Sequence, residues 1–300
     1  MSPTAETLNQ PAEPAPASRR SALGDLREVL GDIVRYRELL AELTRRDLRI
    51  RYKQAVMGIA WAVLTPLVVA LSGWMIRLAL SYMSGAPLMR TELAGIAIRS
   101  IAWSFFTGAL GFGTASITAN LPLVTKVYFP RALLPVSAVV TQVVDTAIAA
   151  VVLALVLPLF DVHLSAALLW VPLLLVLLIL LTTGTALLAS CANVFFRDAK
   201  HLVQIVVSFG IFFTPVIFDA DAFGPNGARW LMLNPLGPVF EGLRLAIVGG
   251  HDLTQPLLGA RGALVWSPSF LVYSAVWAIA GTAAATVIFH RAEFKFAEYV

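Results

Sequence analysis

The residues of this chain that could do chemistry are charged and aromatic side chains inside long apolar runs. Arg77, Arg99 and Asp145 each interrupt a hydrophobic stretch, and a charge inside a membrane segment marks a functional site by default. For the two arginines, the sequence equally allows a side chain that reaches the lipid headgroups and one that lines a transport pathway. For Asp145, the sequence favours a buried, hydrogen-bonded structural role over a role in moving protons or substrate.

Aromatic residues line one face of each of two predicted helices. One of these faces also carries Arg99, whose guanidinium could make a cation–π contact with a ring on the same face. An aromatic stripe in an apolar helix usually serves packing. Aromatic walls also suit a sugar chain, because the C–H faces of sugar rings stack on them while the hydroxyl groups stay hydrated. The candidate translocation pathway therefore consists of Trp61, Arg99, Trp103, Phe106, Phe209, Phe212 and Phe213.

Sequence signatures of catalysis are missing. The chain has no GxxxxGK[ST] phosphate loop and no GxSxG nucleophile motif, and its four histidines are dispersed. Its single cysteine, Cys191, is expected to be a small buried side chain. We therefore expect no catalytic residue, metal site or cofactor in this chain. Gly108, Gly111 and Gly113 lie inside an apolar run and predict close helix packing rather than a nucleotide loop.

Long apolar elements must position these residues. Of the 300 residues, 58% are hydrophobic and 13% are charged, and the mean hydropathy is +0.80, whereas about a quarter of the residues in soluble proteins are charged. We predict an all-α membrane protein with six spans, each near the ~20 residues that cross the hydrocarbon core. The predicted spans are about 58–82, 93–118, 133–159, 166–190, 202–218 and 269–289.

Positive charge sets the predicted orientation, because basic residues beside a first span hold that side in the cytoplasm. The basic residues directly before the first span are Arg45, Arg46, Arg49, Arg51 and Lys53. Further basic residues then fall in predicted cytoplasmic loops, namely Lys126, Arg131, Arg197 and Lys200. Both termini are predicted to be cytoplasmic, and the basic residues serve topology and anionic lipids rather than nucleic acid.

The flanking segments divide by composition. Residues 1–20 are rich in Pro, Ala and Glu and are predicted to be a disordered cytoplasmic tail. Residues 21–57 form a predicted amphipathic helix region at a cytoplasmic interface, and residues 291–300 the cytoplasmic C-terminus. The six-span domain occupies residues 58–290 between them.

The outer segment 219–267, between spans five and six, is predicted to hold short re-entrant helices in the outer leaflet. Asn234, followed by proline, favours the start of one helix. Glu241 and Arg244 are three positions apart on that helix and are predicted to be able to pair.

The loop between spans two and three, NLPLVTKVYFPR at 120–131, is predicted to dock a soluble partner. It carries more apolar and aromatic side chains than a plain surface loop. The alternative is an aromatic belt that anchors the loop at the membrane interface. The candidate docking residues are Val124, Lys126, Tyr128, Phe129 and Arg131.

Several stretches, taken in order, resemble one protein family. They are RRDLRIRYKQAVMGIAWAVLTP at 45–66, LVTKVYFPRALLPVS at 123–137, ANVFFRDAKHLV at 192–203, FFTPVIF at 212–218, NPLGPVFEGLR at 234–244 and the terminal FAEYV. These stretches are similar to the membrane subunit of ABC-2 type polysaccharide exporters. That family includes permeases for O-antigen, teichoic acid and related cell-surface glycans.

The resemblance implies a homodimeric pore with two copies of a separate cytoplasmic ABC ATPase subunit, which binds ATP and Mg. The helix before Gln54 would be the family's interface helix, the 120–131 loop its coupling element, and the 219–267 segment its outer re-entrant helices. The implied cargo is a glycan on an undecaprenyl-type lipid. The implied location is the bacterial inner membrane, in contact with its lipids.

Three other functions remain open on the sequence. An ABC-2 permease for a small molecule or lipid shares this architecture and differs only in cargo. A polytopic membrane transferase acting on lipid-linked sugars needs convergent His, Asp or Glu residues near one membrane face, whereas the predicted spans hold almost no acid besides Asp145. A membrane scaffold without transport is disfavoured by the elaborated outer segment.

Overall fold

The computed structural model describes residues 21–53, 57–85, 87–126, 129–219, 226–259 and 264–296. These residues are mainly helical. The predicted disordered tail, residues 1–20, lies outside the described ranges.

Five helical segments among the described residues are long and apolar enough to cross a membrane. They are Ala60–Ser84, Arg90–Ala115, Leu133–Phe160, Ala166–Phe195 and Pro268–Glu293. The first two segments are the helices α3 (Ala60–Ser84) and α4 (Arg90–Ala115). The third is α6 (Leu133–Val156) followed by a 3-10 turn (Leu157–Phe160), and the fourth is a 3-10 turn (Ala166–Trp170) followed by α7 (Val171–Phe195). The fifth consists of α11 (Pro268–Val276) and α12 (Thr282–Glu293), joined by a π-helical turn (Trp277–Gly281). The chain is a multi-pass membrane protein, so the predicted all-α membrane class is confirmed.

The predicted fifth span is shorter than the other five. Helix α8 (Ala199–Gly210) and the 3-10 turn Ile211–Phe213 end before Thr214, whose backbone is extended next to Pro215. At the usual rise per residue these turns reach about 24 Å, whereas the hydrocarbon core is about 30 Å thick. The helix covers 199–213 instead of 202–218, and the count of six spans stays a prediction.

The predicted interface helix region contains two helices, α1 (Ala22–Arg35) and α2 (Arg37–Lys53), which meet at Tyr36. The Ser21 hydroxyl caps α1 by accepting a hydrogen bond from the Gly24 N–H at 3.1 Å. Helix α1 packs against α12, and α2 packs against α6. We call this end of the bundle the inner end, because the sequence predicts that it faces the cytoplasm.

At the opposite, outer end the predicted short helices form as α9 (Gly227–Met232) and α10 (Leu236–Ile247). The Asn234 side chain accepts a hydrogen bond from the Leu236 N–H at 3.1 Å where α10 begins. An antiparallel hairpin of β1 (Leu257–Leu258) and β2 (Leu264–Trp266) follows, which the sequence did not predict. Helix α10 is almost fully buried, and its re-entry into the membrane stays a prediction.

Helix α4 lies at the centre of the bundle, in contact with α3, α6, α7, α8 and α10. Small residues allow this close packing. A Cβ on Gly113 would lie 2.9 Å from Ala186 Cβ, and one on Gly108 would lie 2.7 Å from the Gln142 amide, whereas one on Gly111 would meet no atom within 4 Å. The predicted packing role is therefore confirmed for Gly108 and Gly113 and is wrong for Gly111, which faces open space.

Buried apolar side chains form two main clusters along the bundle. The outer cluster joins α4, α7 and α10 around Trp103, Leu174 and Phe240. The inner cluster joins α1, α2, the short helix α5 (Leu121–Lys126) and α12, and includes the buried Cys191. The two termini of the described chain thus pack together at the inner end.

Candidate transport and coupling sites

Arg99 is buried inside the outer half of the bundle, and 1% of its side chain is exposed. Its Nη1 donates to Glu241 Oε2 at 3.2 Å and its Nη2 donates to Asp219 Oδ1 at 2.9 Å. Glu241 also accepts a hydrogen bond from Arg244 Nε at 3.0 Å, as the spacing on α10 predicted. Arg99 does not reach the lipid headgroups, so that interpretation is wrong for Arg99.

A second ion pair lies nearby between α3 and α4. Arg77 donates two hydrogen bonds to Glu92, from Nε at 3.0 Å and from Nη2 at 2.6 Å. These contacts combine three arginines with three carboxylates, whose formal charges cancel. A balanced, hydrogen-bonded set of charges can remain in an apolar setting, where a lone charge is costly. We call these six residues the outer charge network. They are Arg77, Glu92, Arg99, Asp219, Glu241 and Arg244.

Asp219 is the member of this network that follows the helix α8 and its 3-10 turn. Burial alone would raise the pKa of the Asp219 carboxyl, but the charges of Arg99 and Arg244 hold that pKa below its ordinary value. The carboxylate is therefore ionised near neutral pH. Asp219 thus links the chain after the α8 segment to Arg99 of α4. Arg99 in turn pairs with Glu241 of α10.

Trp103 and Phe106 are buried together with Arg99. The Trp103 ring lies 5.8 Å from the Phe106 ring and 6.4 Å from the Phe240 ring, measured between centroids. Arg99 pairs with carboxylates instead of making the cation–π contact that the sequence allowed. The prediction that Arg99, Trp103 and Phe106 line a pathway is corrected, because helices of the same chain cover all three side chains.

The other four candidate pathway residues lie on the surface of the chain. Trp61, Phe209, Phe212 and Phe213 are each at least half exposed. Helix α8 is held close to α4, since a Cβ on Gly210 would lie 2.9 Å from Trp103 Cη2. The aromatic face of the α8 segment is thus turned away from the core, and its role in a pathway stays a prediction.

Arg51, one of the basic residues predicted for the cytoplasmic interface helix, lies on α2, and its side chain points into the bundle and forms an ion pair with Asp145 of α6. Its Nη1 also donates to Gln142 Oε1 at 3.2 Å, and its guanidinium lies 4.0 Å from the centre of the Phe112 ring. The charge of Arg51 is thus matched by a buried carboxylate. The interface helix α2 is thereby fastened to a membrane helix.

Asp145 has the buried, hydrogen-bonded role that the sequence favoured. Besides Arg51, it accepts a hydrogen bond from the Tyr52 hydroxyl. Burial raises the pKa of the Tyr52 phenol, and the Arg51 charge opposes that shift only in part. The phenol therefore stays protonated and can donate its hydrogen bond to Asp145.

The remaining basic residues of α2 lie at or near the surface. Arg45 pairs with Glu42 at 2.5 Å and Arg46 pairs with Asp47 at 2.8 Å. Arg49 and Lys53 are exposed. Contact of these residues with anionic lipid or with a partner stays a prediction.

The predicted docking loop is only partly a surface. Val124 and Phe129 belong to the buried inner cluster, and Arg131 donates a hydrogen bond to the Glu293 carbonyl oxygen. Those three docking assignments are corrected, because the side chains fasten α5 and the following turn to the rest of the inner end. Lys126 is exposed, and Tyr128 lies outside the described residues.

A further ion pair joins the two ends of the chain. Asp25 is buried on α1 and accepts a hydrogen bond from Arg291 Nε at 2.7 Å. On α12, His290 Nδ1 lies 2.7 Å from Glu293 Oε1. Sequence reasoning missed these residues. The available signal was an acid in the first turn of α1 and basic residues in the last turn of α12.

Comparison with known proteins supplies the family. The sequence model of a family described as ABC-2 type transporter matches residues 38–248. Two relatives, both named O-antigen export system permease protein RfbA, come from Klebsiella pneumoniae and are 25% identical, one over 87% of this chain and 94% of the relative, the other over 71% and 81%. A relative of the same name from Myxococcus xanthus is 26% identical over 81% of this chain and 94% of its own length.

Proposed function

The chain belongs to the ABC-2 type transporter family, and we propose that it is the membrane subunit of an ATP-driven exporter that moves a lipid-linked cell-surface polysaccharide across the inner membrane. The observation that carries this proposal is the similarity to three relatives that share one name, O-antigen export system permease protein, and that match at least 71% of this chain. Those relatives come from two different genera.

The proposed assembly is a homodimer of this chain with two copies of a cytoplasmic ABC ATPase subunit, which binds ATP and Mg. The chain itself carries no phosphate-loop motif, so the energy must come from a partner. Exposed apolar side chains on α3 and α8, such as Met75 and Phe209, suit contact with a second copy or with lipid. The exposed Lys126 of α5 suits contact with the ATPase.

The physical problem for such an exporter is hydration. A polysaccharide carries many hydroxyl groups, which would lose their hydrogen bonds to water in hydrocarbon. A water-accessible channel with aromatic walls avoids that cost, and the exposed Trp61, Phe212 and Phe213 are the described candidates for such walls. Aromatic residues buried in the core of the chain, such as Trp103 and Phe106, cannot face such a channel.

The inner end provides a route from ATP hydrolysis to the membrane helices. A partner that pushes on α5 at Lys126 would also move α12, because Arg131 binds the Glu293 carbonyl and Phe129 packs in the same cluster. Movement of α2 would be carried to α6 through Arg51 and Asp145. The helices are thus proposed to tilt as a unit when the ATPase closes.

The proposal is tested by depleting the chain in its own cells and extracting the lipid-linked sugars. An exporter of lipid-linked glycan predicts that polymer attached to its lipid carrier accumulates inside the cell, and that plasmid-borne wild-type chain reverses this. A permease for a small molecule or for an unmodified lipid would leave no such polymer, and that result would contradict the proposal.

A further inference from the structure

A cavity of about 720 Å³ lies toward the outer end of the bundle, between α4, α6, α7 and α10. This volume falls within the ~300–1,000 Å³ range of small-molecule sites. Its floor includes the partly buried Ile101, Val143 and Ile179, whereas Ala150 and Leu175 on its walls are exposed. The cavity is thus a groove with an open side, and we call it the outer groove.

The sequence of α6 explains the shape of the outer groove. Its lining positions on α6 and the following turn recur every three or four residues, which is one face of a helix. They are Val143, Thr146, Ala147, Ala150, Leu153, Ala154 and Leu157. The small alanine side chains leave space along this face. From Val143 to Leu157 the face extends about 21 Å at the helical rise, so the groove is long and follows the helix axis.

The lining of the outer groove is almost entirely hydrocarbon. Among the described residues that line it, Thr146 and His163 are the two with polar side chains. A ligand rich in hydroxyl groups would find few partners here and would lose its hydrogen bonds to water. An ordered water molecule needs about two to four polar partners. The ligand class that fits is a hydrocarbon chain, which gains dispersion contacts along the floor.

One end of the outer groove lies at a polar turn. Leu164, which is 92% exposed, lines the groove next to the exposed His163. In the same turn, Asp161 lies 3.9 Å from Arg90, and both of these side chains are largely exposed. Charged side chains at the end of an apolar span lie at the level of the lipid headgroups. The groove therefore leads from headgroup level into the hydrocarbon, as a lipid acyl chain does.

The surface around the outer groove is suited to lipid. Val151 and Leu155 of α6 lie outside the groove and are exposed apolar residues of a membrane-length helix. No described residue of α3 or α8, the helices with apolar surface suited to a second copy, lines the groove. One leaflet contributes about 15 Å of hydrocarbon, half of the core. A single acyl chain of one leaflet therefore fits within the length of the groove.

We propose that the outer groove binds one acyl chain of a phospholipid from the leaflet at the outer end of the bundle. The chain lies between Ala150 and Leu175, with its headgroup beside the turn at 161–164. Leu243 and Ile247 of α10 also line the groove, so the bound chain holds α10 against α4, α6 and α7. Arg244 of the outer charge network lies next to Leu243 on the same helix. The lipid is thus a structural part of the outer end, whatever cargo the chain transports.

The test uses the full chain in nanodiscs that contain a phosphatidylcholine with a diazirine near the end of one acyl chain. After photolysis, peptide mass spectrometry measures the label on α7. Ile179 lines the groove, whereas Val176 is exposed outside it and reports the surrounding lipid. In the wild-type chain, label is expected on both residues.

Ala150→Phe places a ring in the groove. It is expected to lower the ratio of label on Ile179 to label on Val176 about tenfold, the change in affinity when the apolar area of one large side chain is no longer buried. Val151→Phe is the matched control, because it adds the same ring at the next position of α6, outside the groove. That ratio should not change in Val151→Phe. Ala154→Leu is a smaller change on the groove face and should lower the ratio if Ala150→Phe does not fold.

Thermal unfolding of the delipidated chain in detergent gives a second measurement. A ligand that binds only the folded chain raises the unfolding midpoint. Added dioleoyl phosphatidylcholine is expected to raise the midpoint of wild type and of Val151→Phe, and to raise that of Ala150→Phe or Ala154→Leu less.

Three results would overturn the inference. Ile179 receives no label in the wild-type chain, the ratio of label is the same in wild type and in the groove variants, or an equimolar amount of undecaprenyl phosphate removes the label from Ile179. The last result would assign the groove to a polyprenyl lipid instead of a phospholipid. None of these outcomes depends on the cellular test of export.

Discussion

Arg99 shows how a charge is kept inside an apolar helix. Its guanidinium has carboxylates from two separate segments as partners, Asp219 and Glu241, and almost none of the side chain is exposed. Such a set of buried charges is stable only while the charges balance, because removal of one partner leaves an uncompensated charge. The arginine thus connects α4 to the outer segment rather than to lipid or cargo.

We expect Arg99→Met to lower the free energy of unfolding by about 3–5 kcal/mol, since Glu241 and Asp219 lose their buried cation. The measurement is the thermal unfolding midpoint of the purified chain in detergent. Arg77→Met is the control, because its side chain and that of Glu92 are partly exposed, and its effect should stay near 1 kcal/mol or less. Equal midpoints for Arg99→Met and wild type would contradict this account of the network.

Arg51 and Asp145 are expected to act as a coupled pair. We predict that Arg51→Met and Asp145→Leu each destabilise the chain and that the double variant is less affected than the sum of the two, with a coupling of about 0.5–3 kcal/mol. The double variant leaves no unpaired charge, which explains the predicted recovery. Unfolding midpoints of the four proteins measure the coupling, and strictly additive effects would show that the pair does not interact.

The charged residues themselves could be identified from the sequence, but their partners could not. Arg99 and Asp145 stand out because a charge inside an apolar run is rare. Arg99 and Glu241 are 142 positions apart, and Arg51 and Asp145 are 94 positions apart, so only the packing of distant helices brings them together. A count of opposite charges on the outer side was the signal that could have suggested the network.

Glycines on α4 show which surfaces of a helix are in contact. A Cβ on Gly113 would lie 2.9 Å from Ala186 Cβ, whereas Gly111 faces open space on the same helix. We predict that Gly113→Ala is destabilising by about 1–3 kcal/mol through overpacking of α4 against α7. Gly111→Ala should be neutral or stabilising by up to about 1 kcal/mol, because alanine favours a helix over glycine.

Thermal unfolding of the two glycine variants gives a direct comparison, since the chemical change is the same at both positions. Opposite shifts in the unfolding midpoint are expected. If both variants behaved alike, the predicted close approach of α4 and α7 at Gly113 would be incorrect.

Helix α5 is expected to be the part of the inner end that receives force from the ATPase. We predict that Lys126→Glu lowers polysaccharide export several-fold while ATPase activity of the assembled complex persists, because a reversed charge disrupts contact with the partner without entering the core. Lys200→Glu is the control, since Lys200 is also an exposed lysine at the inner end but lies in the first turn of α8. Equal export in Lys126→Glu and wild-type cells would remove α5 from the coupling route.

Helix positions were largely predictable, because runs of apolar residues near membrane length leave few alternatives. The helix α8 segment departs from that rule, since Thr214 and Pro215 end it before the apolar run ends. The prediction for the docking loop at 120–131 was wrong in part for another reason. Val124 and Phe129 are apolar because they pack in the inner cluster, and sequence alone does not tell a buried apolar side chain in a loop from an exposed one.

The molecule as a whole has a connected inner end and, around the central helix α4, an outer end that holds the outer charge network. The inner end joins α1, α5 and α12 through apolar packing and the Asp25–Arg291 ion pair. The outer end joins α3, α4 and α10 through six charged residues. This arrangement suits a chain that is moved by a partner at one end and opens along its length.

The membrane class and the family were recognisable from composition and from ordered motifs, and the family match confirms the latter over residues 38–248. The cargo was not recognisable in the same way. Of the motif residues, Val124 and Phe129 pack in the inner cluster, whereas contacts to cargo would use side chains of common types. No residue type or spacing marks those contacts without the fold.

The most direct measurement of the central claim is the side of the inner membrane on which the polymer is found. In cells depleted of the chain, an antibody or lectin against the cell-surface glycan should label the polymer only after the inner membrane is permeabilised. Restored wild-type chain should return the label to intact cells, and Lys126→Glu should do so poorly. Polymer that reaches the surface of depleted cells as fast as in wild type would contradict the claim that this chain exports it.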